Sequence, residues 1–112
     1  MIRVYIAMPY GDDNDLATRQ YRTEQSMAVW HTLSAAGFAP FCPLLSHFLH
    51  EFRPRTREHW LAQSASWVDV CDCVLALGDS EGIRMEVALA LSQKIPVFRM
   101  IGALGDAYGM EL

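Results

Sequence analysis

Four short runs carry apolar residues at successive positions, and each is followed by a stretch long enough for a helix. No other feature constrains the fold of this chain so strongly. "IRVYIA" (2–7) is apolar on both parities, as a strand covered on both faces requires. "FAPFC" (38–42) is a second, shorter run, and Pro40 inside it points to an edge position or an early end. "CVLALG" (73–78) is a third buried strand closed by glycine, and "PVFRM" (96–100) is a fourth.

The segments between them read as helices. Residues 17 to 36 form the first, with Tyr21, Ala28, Leu33 and Ala36 as its expected buried side, Asn14 or Asp15 as its N-cap and Gly37 as its C-terminal stop. Residues 56 to 70 form another, with Trp60, Leu61, Ala65 and Val68 at suitable offsets. Residues 83 to 93 form the last, with Ile83, Val87, Ala90 and Leu91 on one face. The stretch 43–55, "PLLSHFLHEFRPR", reads as a loop with one helical turn, and the tail from Ile101 gives no clear element.

Strands that alternate with helices demand crossovers. The expected fold is therefore one α/β domain, three-layered and Rossmann/flavodoxin-like, with a parallel sheet of four to five strands and helices on both faces. At 112 residues, 52% hydrophobic and 20% charged, the chain has material for one core and little tendency to disorder. Ligands of such sheets bind beyond the carboxyl ends of the strands. Two loops leave those ends, "MPYGDDND" after the first strand and "GDSEG" after the third, and they are expected to meet in one crevice.

Composition narrows the partners. A net charge of −4 argues against a general nucleic-acid binder, and Arg53, Arg55 and Arg57 read as a solvated loop. The three cysteines, Cys42, Cys71 and Cys73, are odd in number without a CxxC pair, which suits free thiols in a reducing compartment. The N-terminal run is too short for a signal peptide, and no stretch reaches the roughly 20 apolar residues of a membrane span. A cytoplasmic protein without membrane contact is the expectation.

The candidate chemistry lies in "DSEGIRMEVALA" (79–90). A glycine turn entering a helix offers free N–H groups and the positive end of the helix dipole, a cradle for phosphate or a sugar hydroxyl. It is neither a P-loop nor GxGxxG. The simpler alternative is an N-cap by Asp79 or Ser80. Glu86, expected in the first helical turn, either offsets the dipole or faces the crevice, with Tyr5 as its partner. Arg84 either meets a phosphate or pairs with Glu81 or Asp79, and Arg19 and Arg22 admit the same two readings. His47, His50, Glu51 and His59 read as loop or lid residues rather than a metal site, and Trp30, Trp60 and Trp67 as core or subunit-interface residues.

The run "DSEGIRMEVALALSQKIPVF", with "RVYIAMPY" and "WVDVCDCVLAL", resembles the nucleoside 2-deoxyribosyltransferase-like superfamily, and is similar in style to the 2′-deoxynucleoside 5′-monophosphate N-glycosidases. The likeness spans Ile2 to about Met100, and the S-x-G-x-x-x-E spacing is its most specific part. The resemblance implies that Glu86 is a nucleophile attacking the anomeric carbon and that Tyr5 hydrogen-bonds it. It implies that Ser80 and Gly82 bind the 5′ end of the sugar, as hydroxyl or phosphate, and that Met8, Pro9 and Tyr10 enclose the base. Ala7, Asp79 and Arg84 are further candidate substrate-binding residues. It also implies a homodimer or larger homo-oligomer, and no cofactor or metal is expected. Ser64 stands where relatives carry an aspartate, with Asp69 near but offset, so the general-acid role has no holder. A non-catalytic module that binds or senses a nucleotide in the same cleft is the alternative function.

Overall fold

A computed structural model describes residues 1–11 and 15–112. In chain order the elements are β1 (Arg3–Ala7), α1 (Leu16–Ala35), β2 (Ala39–Phe41), a 3₁₀ turn (Pro43–Leu45), α2 (Ser46–Phe52), α3 (Arg57–Val68), β3 (Cys73–Ala76), α4 (Glu81–Ser92), β4 (Val97–Phe98) and α5 (Ile101–Tyr108). The four strands form one all-parallel sheet in the order β2-β1-β3-β4. This is the α/β domain that the alternation predicts.

The two-residue period of the strands separates two cores. Val4 and Ile6 of β1 and Cys73 and Leu75 of β3 point to one face, where Leu33 of α1 and Leu104 of α5 cover them. Tyr5, Ala7, Val74 and Ala76 point to the other, under Val68 of α3 and Ile83, Val87 and Ala90 of α4. Both faces are thus sealed, which is why Val4–Ala7 and Cys73–Ala76 are buried at every position. Pro40 sits in β2, an edge strand paired only with β1, where its missing N–H costs the sheet nothing.

Helix ends follow their capping chemistry. Asp15 caps α1 by accepting from the Thr18 N–H at 3.0 Å; Asn14, the other candidate, lies outside the described residues. At the far end Gly37 has φ +101°, and the N–H groups of Gly37 and Phe38 return to the carbonyls of Ser34 and Leu33. Glycine takes this left-handed stop without a Cβ penalty.

Three expectations are corrected. Tyr21 and Ala28 of α1 are exposed, and the buried positions are Thr23, Ser26 and Leu33. Thr23 and Ser26 can be buried because their hydroxyls bond the helix's own carbonyls at Arg19 and Thr23. Leu91 of α4 is 61% exposed, while Ile83, Val87 and Ala90 are buried as expected. The segment 43–55 holds α2, and the tail forms α5, which packs Leu104 into the core.

Candidate active site

Strand order reverses direction between β1 and β3, so the loops leaving those two strands open a crevice at their carboxyl ends. The loops touch. The Leu77 N–H donates to the Ala7 carbonyl at 2.8 Å, and Pro9 packs on Gly78. Gly78 has φ +117°, and a Cβ there would stand 2.8 Å from Pro9 Cγ. Only glycine serves at that point, for reasons of both conformation and space.

Beyond this contact lies a cleft of about 740 Å³, within the size range of small-molecule sites. The β1 loop supplies Met8, Pro9, Tyr10 and Gly11. The start of α4 supplies Asp79, Ser80, Gly82 and Glu86. The third wall comes from α2, α3 and the link between them, with His50, Arg55, Arg57, Trp60 and Ser64, and Arg19 of α1 adds a further cation.

Ser80 is the N-cap of α4, accepting from the Ile83 N–H at 3.2 Å. The helix therefore starts at Glu81, two residues earlier than expected. That places Glu86 in the second turn and not the first, and Glu81 is the acid that meets the dipole. Dipole compensation does not account for Glu86. Its position on α4 carries it inward, while Ile83 and Val87 beside it face the sheet.

Three polar groups meet below the cleft. The Tyr5 side chain is fully buried, and its hydroxyl lies within interaction reach of the Glu86 carboxylate and the Ser64 hydroxyl. Neither Tyr5 Oη nor Glu86 Oε2 completes a well-formed hydrogen bond, although both atoms are buried. Burial raises the Glu86 pKa to about 7, with the Tyr5 hydroxyl pulling it back. Burial also drives the Tyr5 phenol well above its ordinary value, the Glu86 charge adds to that, and Ser64 opposes it. A carboxyl poised near neutrality beside an open hollow can act as nucleophile or base. Gly82 lies between the acid and the cap: a Cβ there would sit 3.9 Å from both Glu86 Oε1 and Ser80 Oγ, at ordinary contact distance.

The other predicted residues divide. Met8, Pro9, Tyr10, Asp79, Ser80, Gly82 and Glu86 line one cleft. Ala7 is buried in the sheet beneath it and contributes through its carbonyl. Arg84 lies on the exposed side of α4, where its guanidinium donates to both Asp79 carboxylate oxygens at 2.9 and 2.6 Å. Asp69 is exposed and accepts from Gln93, while Asp72 accepts from the Arg3 backbone N–H. Neither carboxylate stands at the cleft; Ser64 does. His47 is buried with Nδ1 2.6 Å from the Tyr10 hydroxyl, and no group of His, Cys, Asp or Glu suited to a metal occurs among the described residues.

Sequence reasoning missed the cationic wall. Arg55 and Arg57 line the cleft and are not merely solvated, although Arg57 also approaches Glu81 at 3.6 Å. Only the chain path of 43–57 brings them there, so no local pattern could have shown it. His50 and Trp60 share that origin.

The chain is thus a parallel α/β domain whose topological reversal point opens onto a cleft lined by a part-buried acid and a glycine-containing helix start. Residues 2–100 match the family described as "Domain of unknown function (DUF7768)", and the chain belongs to that family. No curated protein and no solved structure matches it.

Proposed function

We propose that this protein cleaves the base–sugar bond of a nucleoside or nucleoside 5′-monophosphate, as an N-glycosidase or deoxyribosyltransferase, with Glu86 as nucleophile. One observation carries the reading: the Glu86 carboxyl is held near neutrality beside the Tyr5 phenol, on the edge of a cleft sized for a small ligand. The ionised carboxylate attacks the anomeric carbon as the C–N bond breaks, and the bonding pair leaves with the base, which takes up a proton from solvent water; the water or second base that later displaces Glu86 releases one in turn. Water or a second base then displaces Glu86 from the sugar. The sugar rests over Glu86, its 5′ end at Ser80 and Gly82, and the base against Met8, Pro9 and Tyr10. Arg55 and Arg57 supply the counter-charge for a 5′-phosphate. The reaction as written takes no cofactor.

Ser64 beside Tyr5 favours a second reading, because its hydroxyl is no acid at neutral pH. On that reading the cleft binds a nucleotide and leaves it intact. Chromatography of a panel of nucleosides and monophosphates decides between them. Release of free base supports catalysis; a ligand that raises the melting temperature yet survives hours of incubation supports sensing.

No described helix is long and apolar enough to cross a membrane, and the three free thiols suit the cytoplasm. The exposed Leu49 and Trp67, which share a hollow with Pro40 and Phe41 of the edge strand β2, suit association of like chains.

A further inference from the structure

The imidazole of His50 stands in the wall of the cleft with two N–H groups directed at one of its nitrogens. The Trp60 indole Nε1–H donates to His50 Nδ1 at 2.8 Å, and the Arg55 backbone N–H donates to the same atom at 3.2 Å. An indole N–H and a peptide N–H can only donate. Nδ1 therefore presents its lone pair to both, and the ring N–H is on Nε2. Among the described residues nothing accepts that Nε2–H.

We propose that Trp60 is a positioning residue that locks His50 in the Nε2–H tautomer, so that His50 donates a hydrogen bond to a neutral acceptor on the nucleobase, a carbonyl oxygen or an unprotonated ring nitrogen. The ligand half of this inference rests on the nucleotide reading above; the tautomer half does not. With Nδ1 occupied by two donors, the polar group that the ring has left for a ligand is the Nε2–H, which suits an acceptor. Arg55 and Arg57 already provide fixed positive charge on the same wall. The Nε2–H donor steadies the charge that develops on the base as its bond to the sugar breaks. The proton remains on Nε2 throughout. That electrophilic help is what a serine at position 64 cannot give as an acid.

The test is nitrogen-15 NMR of ring-labelled histidine in the full chain at pH 8. In the ligand-free protein His50 should show an unprotonated Nδ1 and a protonated Nε2, and Trp60→Phe should give a mixture of tautomers. Addition of a deoxynucleoside 5′-monophosphate should move the Nε2–H resonance, while 2-deoxyribose 5-phosphate, which lacks a base, should leave it in place. His50→Phe should weaken the nucleotide at least tenfold and the sugar phosphate less than twofold. A protonated Nδ1 in the wild type, or a tautomer unchanged in Trp60→Phe, overturns the role of Trp60 whatever the ligand. A sugar phosphate that moves Nε2 as far as the nucleotide reassigns His50 to the phosphate and overturns the base contact. A locked tautomer with no nucleotide binding at all sinks the nucleotide reading and the base contact with it.

Discussion

The Tyr5 hydroxyl and the Glu86 carboxyl approach one another from opposite elements, a central strand and the helix above it, and each keeps a buried oxygen without a completed hydrogen bond. Leaving such atoms unmatched costs of the order of 1–3 kcal/mol each. A purely structural core would fill the position with an apolar side chain. Glu86 also lines the cleft, and the proposed reaction uses the pair there.

The first consequence is a dependence of stability on pH. Glu86 titrates near 7 in the folded chain and near its ordinary 4.5 when unfolded, so the folded state holds its proton more tightly. Its contribution is greatest below the unfolded value and is lost as pH rises through 7. Glu86→Gln should therefore raise the melting temperature at pH 8, by an amount of the order of 3 kcal/mol in stability, and change it little at pH 4. Calorimetry across that range checks this. Equal effects at both ends would contradict it.

Tyr5→Phe acts on the same carboxyl from the other side. The phenol holds the Glu86 pKa down against burial, so its loss should move the rising limb of the pH–rate profile from about 7 to higher pH. The rate at pH 7 should fall by at least tenfold, with part of that recovered at pH 8.5. The profile of each protein against one substrate reads this out, and an unmoved limb would remove Tyr5 from the mechanism.

Gly82 separates binding from folding. It lies inside α4, and a methyl group there meets only ordinary contact distances. Gly82→Ala should hold or raise stability, by up to about 1 kcal/mol from helix propensity. It should weaken nucleotide binding at least tenfold, because that methyl occupies the space between Ser80 and Glu86. Paired denaturation and titration calorimetry make the comparison.

Gly78 should behave in the opposite way. With φ +117° and Pro9 at 2.8 Å, Gly78→Ala strains the backbone and pushes two loops apart. A loss of about 1–3 kcal/mol is expected from urea unfolding, together with faster amide exchange at Leu77.

Arg55→Ala and Arg57→Ala should distinguish the two ends of the ligand. Each should reduce affinity for a nucleoside 5′-monophosphate several-fold more than for the matching nucleoside, and the salt dependence of binding should fall with it.

The strands were legible in the sequence because a sheet covered on both faces leaves apolar residues at every position, as in Val4 to Ala7. Much of the candidate site was legible too, since Ser80, Gly82 and Glu86 lie within seven residues at one helix start and Tyr5 lies in the first strand. The buried side of α1 was not, because Thr23 and Ser26 satisfy their hydroxyls locally and so enter the core without an apolar signature. Helix α2 is seven residues long and exposes Phe48, Leu49 and Phe52, leaving no amphipathic stripe to read. Helix α5 begins at an uncapped Met100 and contains Gly102 and Gly105, which weaken every helix signal. Ser80 begins α4 earlier than the apolar run suggests, and this moved Glu86 by a turn. Arg55, Arg57, His50 and Trp60 reach the cleft through the path of the chain alone.

A crystal structure of Glu86→Gln bound to a deoxynucleoside 5′-monophosphate tests the central claim most directly. The account predicts the anomeric carbon about 3–3.5 Å from the side-chain terminus at position 86, the phosphate at Ser80 and Gly82, and the base toward Met8 and Tyr10. A sugar bound elsewhere, with that side chain contacting only Tyr5 and solvent, would contradict it.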